Sequence, residues 1–154
     1  MASKRTAITM TDDEVQAYLA EQTVLNVATI GPSGHPHLVA MWFAIVDGQV
    51  AFWTFGKSQK VLNLRRDPRI TCLVESGDTY STLRGVELVG AARVVDDFDH
   101  VLRIGLAVGA KYNVGAATDA STALAAGQAR KRLGIVVDVE RVVSWDHTKL
   151  GGGY

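Results

Sequence analysis

Lys57, Ser58 and Lys60 stand within four residues of one another, at the exit of the aromatic run Trp53-Thr54-Phe55 and just before a helix-like stretch. A phosphate group needs several donors converging from one side, and the N–H groups at a helix start add to such a set. The two strand-like runs that precede these residues are rich in aromatic and apolar side chains, enough to cover a flat ring. A ring site beside a phosphate site suggests a flavin-type cofactor. Taken without further context, Lys57, Lys60, Arg65, Arg66 and Arg69 fit a solvated helix face equally well.

The elements that must position these groups are readable from pattern. Thr11-Asp12-Asp13-Glu14 has the form of a capping box, and Val15, Tyr18 and Leu19 follow at helical spacing, so a short helix is expected to end near Gln22. Thr23–Ile30 reads as a strand, and Gly31-Pro32-Ser33-Gly34 as a turn. His35–Val46 reads as a long second strand closed by Asp47-Gly48, a hairpin dipeptide, and Gln49–Phe55 as a third. Ser58–Arg66 is helix-like and stops before Pro68. Arg69–Glu75 and Thr82–Val95 are the fourth and fifth strands, the latter with Gly85 and Gly90 as expected bends or bulges. Asp97–Tyr112 and Thr118–Arg130 read as helices, and Arg132–Trp145 as the last strand, with Ile135, Val137 and Val139 alternating.

Tight hairpins, not crossover helices, join the early strands, which argues against a doubly wound parallel sheet. The expectation is an α+β, mainly β fold: a six-stranded antiparallel barrel with helices packed outside. Neither an internal repeat nor a dividing linker is visible, so residues 1–154 read as a single domain, with residues 1–10 and 148–154 as loose ends.

Bulk composition narrows the function classes. The chain has 154 residues, 47% of them hydrophobic and 21% charged, with 16 basic and 16 acidic residues and no net charge. Nothing global favours nucleic acid or an anionic membrane. No run approaches the roughly 20 apolar residues of a membrane-spanning helix. Met1–Met10 lacks an apolar signal core, so a cytoplasmic location is the expectation. Cys72 is the only cysteine and lies in the apolar run Ile70–Val74, where an inert buried thiol is expected. His35, His37, His100 and His147 lack metal-ligand spacing, so no metal site is expected. His37 is a candidate pocket residue. No nucleophile elbow or catalytic carboxylate pair stands out, and the catalytic residues are unknown.

Trp42, Phe43, Trp53 and Phe55 fit either a barrel interior or a ligand wall. Adjacent strand residues point to opposite faces, so one of Trp42 and Phe43 is left for a ligand or a partner. Trp145-Asp146-His147-Thr148-Lys149 is a second aromatic and polar cluster, followed by Gly151-Gly152-Gly153.

The order of Thr29-Ile30-Gly31, Gly34-His35-Pro36-His37, Trp42-Phe43, Ser58-x-Lys60 and Asn63-Leu64-Arg65-Arg66-Asp67-Pro68-Arg69 resembles the pyridoxamine-phosphate-oxidase-like split β-barrels. More narrowly, it resembles their flavin/deazaflavin oxidoreductases. The likeness runs from about Thr11 to about Val95, with an echo at Trp145–Lys149.

The resemblance implies a homodimer with two cofactor sites at the subunit interface. It places the tricyclic ring along Leu38, Val39, Ala40, Met41, Trp42 and Phe43, and along Trp53 and Thr54. It places the phosphate-bearing tail at Ser58 and Lys60 with Lys57 nearby. Trp145, at the end of the last strand, fits closure over the ring from the partner subunit and a buried interface tryptophan equally well. The implied cofactor is the deazaflavin coenzyme F-420, with FMN as the same-fold alternative. Gln59 stands where FMN-using relatives often carry an arginine. The C-terminal arginine motif of true pyridoxamine-phosphate oxidases is absent, which disfavours that activity. The implied function is hydride transfer to a planar conjugated small molecule; a non-catalytic cofactor- or haem-binding protein is the rival from another class.

Overall fold

The computed structural model describes residues 3–112 and 117–151. A short helix, α1 (Lys4–Ile8), leads into α2 (Asp12–Glu21). The capping box closes as expected: Glu14 N donates to Thr11 Oγ1 at 3.2 Å, and Thr11 N donates to Glu14 Oε2 at 2.7 Å. Three acidic residues, Asp12, Asp13 and Glu14, occupy the first turn, where the helix dipole favours negative charge. Val15, Tyr18 and Leu19 face inward and are buried.

The strands are β1 (Val24–Ile30), β2 (Pro36–Trp42), β3 (Ala44–Val46), β4 (Gln49–Phe55), β5 (Arg69–Ser76), β6 (Arg84–Val95) and β7 (Arg132–Asp146). The helices between them are α3 (Gln59–Arg66), α4 (Phe98–Lys111) and α5 (Asp119–Ala129). All strand pairs are antiparallel, in the order β2-β1-β5-β6-β7-β4-β3. The six strands read from sequence become seven, because the run expected as one long strand breaks at Phe43.

That break explains the architecture. β2 and β3 lie at opposite edges of the sheet, yet Phe43 alone separates them in the chain. One half of the run pairs with β1 and the other with β4, so the sheet curls until its two edges meet in one segment. The result is a curled, half-closed antiparallel barrel. Asp47 and Gly48 close the β3–β4 hairpin with φ of 51° and 76°, the positive values that a two-residue hairpin turn of this hand demands. At Gly90 the β6–β7 register shifts by a bulge, and a Cβ there would run into the Asp138 carbonyl.

Parity is continuous through the break. Val39, Met41, Phe43 and Ile45 face the barrel interior, with Leu25, Val27, Phe52, Ile70, Cys72, Val86 and Ile135. Ala44 and Val46 face outward and are covered by Ile104 and Val108 of α4, which form a second apolar cluster with Ala51 and Val136.

α3 closes one end of the barrel. Val61 and Leu64 join the core, and between them Asn63 is fully buried. Its Nδ2 donates to Thr29 Oγ1 at 3.0 Å, while its Oδ1 accepts from Gln59 Nε2 at 2.8 Å and from Arg66 at 3.3 Å. Arg66 also donates to the Ile30 carbonyl. Asn63→Ala leaves the buried Thr29 hydroxyl without its donor and opens a void. It is expected to destabilise the fold by about 2–3 kcal/mol, read as a lower urea midpoint with unchanged slope.

Candidate cofactor site

β4 delivers Thr54 to the inner face at the α3 end of the barrel, where it is buried. The chain then turns through Gly56 and Lys57, and Ser58 becomes the N-cap of α3. Ser58 makes no capping hydrogen bond; its Oγ lies 3.4 Å from Thr54 Oγ1. Lys60 turns back toward the same point and donates from Nζ to Thr54 Oγ1 at 3.1 Å. At the start of α3 the Val61 and Leu62 N–H groups donate to the Ser58 carbonyl, which leaves those of Gln59 and Lys60 without a backbone acceptor. An ammonium, two hydroxyls and a helix start therefore converge, a donor set that suits a phosphate oxygen.

The electrostatics point the same way. Lys60 is half-buried, and burial holds its pKa below that of an ordinary lysine. Among the described residues no carboxylate forms an ion pair with it. A bound anion would compensate a charge that the fold leaves uncompensated. Gln59, which follows Ser58, is committed elsewhere, with its amide on Asn63.

The expected ring residues separate by parity. Leu38, Ala40 and Trp42 point out of the barrel, with Leu38 67% and Trp42 56% exposed. Val39 and Met41 pack on the core, and Phe43 is fully buried, so these three side chains do not form an open wall. The pleat commits every second side chain of this run to the interior, which leaves only the main chain of Val39, Met41 and Phe43 to face a ring. Trp42 stacks on Tyr112 with ring centroids 4.1 Å apart and planes at 16°. Trp53 is outward-facing but partly covered, lying against Gly105 of α4 on one side and under the Arg132 guanidinium at 4.4 Å on the other. Trp145 is thirteen positions along β7 from Arg132, beside Gly85, at the opposite end of the strand. One chain alone does not bring Trp145 to Lys60.

Lys57 is exposed and borders a cavity of about 540 Å³ with Phe55, Gly56, Arg65, Arg130, Lys131, Arg132 and Leu133. The α5–β7 residues of this set were not picked out from sequence, although Arg130-Lys131-Arg132 is a contiguous basic triplet. Tyr112, under Trp42, was likewise missed, because nothing local marks a helix-terminal tyrosine as a stacking partner.

Other candidates resolve plainly. His37 sits on the inward face of β2 opposite Thr29, and its Nδ1 is buried without a hydrogen-bond partner. Among the described residues there is no cluster of three or more His, Cys, Asp or Glu able to hold a metal, and no helix is long and apolar enough to cross a membrane. Cys72 is fully buried, and burial pushes its thiol pKa up to about 12. It is expected to resist a charged disulfide reagent in the native state and to react only on unfolding, measurable as release of the reagent's chromophore against denaturant.

Residues 11–146 match the family model for pyridoxamine 5'-phosphate oxidase. The chain belongs to that family. The family match spans α2 through β7, and so includes the whole sheet, the Thr54–Ser58–Lys60 group and Trp145.

Solved structures extend the likeness. A conserved hypothetical protein from Mycobacterium tuberculosis is 41% identical, covering 99% of this family member and 95% of that chain, with a TM-score of 0.93. An F-420 reductase is 25% identical over 82% of this chain and 94% of its own, with a TM-score of 0.64. An FAD-binding protein from Mesorhizobium loti shares the fold at 18% identity and a TM-score of 0.64, over 88% of this chain and 94% of that one. No curated protein matches the sequence.

Proposed function

We propose that this member of the family is an oxidoreductase that binds the deazaflavin coenzyme F-420 and passes hydride to a planar conjugated small molecule. The observation that carries this reading is the half-buried, carboxylate-free Lys60 beside a Ser58 hydroxyl that makes no capping hydrogen bond, on a fold shared with an F-420 reductase at 25% identity. When bound, the coenzyme supplies the hydride chemistry through its ring. The chain's own part is to hold the phosphate at Thr54, Ser58 and Lys60, to orient the ring and to exclude water. No side chain is assigned as catalytic.

The reading includes a homodimer. The outer face of β2-β1-β5-β6-β7 carries Leu38, Ala40 and Trp42, then Val24 and Ala28, Leu73, Val89, and finally Val143 and Trp145. The same face also carries Asn26, Thr71, Glu75, Glu87 and Arg141, and such a broad face of mixed apolar and polar residues suits burial against a second copy. A second copy is also what Trp145 needs to approach a ring lying along Leu38, Ala40 and Trp42.

The second reading is an FMN enzyme of the same fold, since Ser58 and Lys60 serve either phosphate. Against it, Gln59 stands where FMN-using relatives often place a second cation, and its amide is tied to Asn63. A carrier that binds cofactor without turnover is the third. The deciding experiment titrates the protein with F-420 and, separately, with FMN, following tryptophan fluorescence. It then offers the reduced complex a panel of quinone-like and enone acceptors. Tighter binding of F-420 with oxidation of the reduced coenzyme supports the proposal. The reverse preference selects FMN, and binding without oxidation by any acceptor selects the carrier.

A further inference from the structure

The cavity between the end of β4 and the α5–β7 junction has features that a cofactor phosphate at Lys60 does not use. Five cations line it, Lys57, Arg65, Arg130, Lys131 and Arg132, and none of its lining residues is acidic. Among the described residues Lys60, Arg66, Lys111 and Arg141 make no ion pair, whereas Arg69, Arg84, Arg93, Arg103 and Lys149 are each paired with a carboxylate. Among the described residues none of the five cavity cations is. In a chain with no net charge, such a concentration of one sign in a concave site focuses potential on an incoming anion.

The walls are not purely ionic. Phe55 is 59% exposed, and Leu133 contributes an aliphatic surface. The Arg132 guanidinium lies over two aromatic rings, 4.4 Å from the centroid of Trp53 and 5.0 Å from that of Phe55, in cation–π contact with both. Its Nε is buried without a hydrogen-bond partner, and burial lowers its pKa. A guanidinium stacked on aromatic rings is well suited to stacking a further planar group and to forking toward phosphate oxygens. The volume, about 540 Å³, is far beyond a bare phosphate and falls among small-molecule sites, which run to about 300–1,000 Å³.

We infer that this cavity is a nucleotide subsite, taking an aromatic base against Phe55 and Arg132 and two or more phosphate charges on Arg65, Arg130 and Lys131. The subsite is built on the α5–β7 junction and is distinct from the Thr54–Ser58–Lys60 group, which it meets only at Lys57. It does not require the deazaflavin reading.

The test uses the full chain and ADP as probe, with adenosine and inorganic pyrophosphate as its two fragments, followed by calorimetry and by quenching of Trp53. ADP is expected to bind at least tenfold more tightly than either fragment, with affinity falling as salt rises. Lys131→Gln and Arg65→Gln, both at exposed positions, are expected to weaken ADP binding severalfold each, and Arg132→Gln tenfold or more. Lys60→Met is expected to leave ADP binding unchanged. Equal affinity for ADP and either fragment overturns the inference, as does no binding of ADP. So does a loss in Lys60→Met as large as that in Arg132→Gln, which would return the anion to the cofactor site. Thermal unfolding of each variant separates lost binding from lost folding.

Discussion

Lys60→Met is expected to lower cofactor affinity by roughly one to two orders of magnitude, while the ligand-free protein loses no stability. The first part follows from the strength of a charge-assisted hydrogen bond in a half-desolvated site, about 1.5–3 kcal/mol, or roughly tenfold to a hundredfold in Kd. The second follows from the cost of the charge itself. Lys60 is half-buried, carries no ion pair among the described residues, and has a pKa below the ordinary lysine value of 10.5 because burial disfavours its charged form. Methionine keeps the stem and removes the charge.

A residue that helped only the fold would behave in the opposite way, lowering the melting temperature when removed. The pH dependence separates the two roles further. Between the lowered folded pKa and 10.5 the unfolded chain holds more protons than the folded one, so the ligand-free wild type gains stability from this group as pH rises. Affinity for a phosphate runs the other way, falling as Lys60 loses its proton, and earlier than for an exposed lysine. Melting curves and fluorescence titrations across the alkaline range measure both slopes. Equal affinity in wild type and variant would remove Lys60 from the site.

What the sequence made legible, and what it did not, follows from the range of the interactions. The capping box at Thr11–Glu14 closes as read, because it is settled within one helical turn. Asp47-Gly48 turns where expected, because only the left-handed region fits that hairpin. Phe43 was not legible. Whether a run of twelve residues stays with one partner or passes between two is decided by β1 and β4, which are distant from each other in the sheet order. The pleat then fixed which of Trp42 and Phe43 is buried, a one-residue parity that no local pattern supplies.

The candidate site divides in the same way. Ser58 and Lys60 sit where the short Ser-x-Lys string puts them, within one turn of the same helix start. Arg130, Lys131 and Arg132 come from the far side of the chain, and their approach to Phe55 depends on β7 pairing with β4, Phe55 opposite Arg132. Trp145 was legible as an aromatic at a strand end. Its separation from Lys60 was not, because it depends on which end of β7 pairs with β4, Leu133 lying opposite Thr54.

The second large effect concerns two glycines on one helix with opposite surroundings. Gly105 and Gly109 both lie inside α4, four residues apart and therefore on nearly the same face. A Cβ at Gly109 meets nothing within 4 Å, whereas a Cβ at Gly105 falls well inside van der Waals contact with the six-membered ring of Trp53. Gly109→Ala should therefore gain the intrinsic helix preference of alanine, up to about 1 kcal/mol. Gly105→Ala gains the same term and loses more. Overpacking costs about 1–3 kcal/mol, and here the obstacle cannot swing aside, since the Trp53 ring is held between α4 and the Arg132 guanidinium. The expected result is a melting temperature raised by a few degrees in Gly109→Ala and lowered in Gly105→Ala, at about 2–4 °C per kcal/mol for a domain of this size. Bulkier Gly105→Val should lose the packing of α4 on β4 altogether. Trp53→Leu removes the obstructing ring, so the double variant Gly105→Ala/Trp53→Leu is expected to be more stable than the two single changes sum to. That positive coupling is read from a double-mutant cycle of urea midpoints. Because Trp53 supports Arg132, Gly105→Ala should also weaken ADP binding at a cavity its own side chain does not line. A Gly105→Ala protein as stable as Gly109→Ala would mean that α4 rides farther from β4 than the Trp53 contact requires.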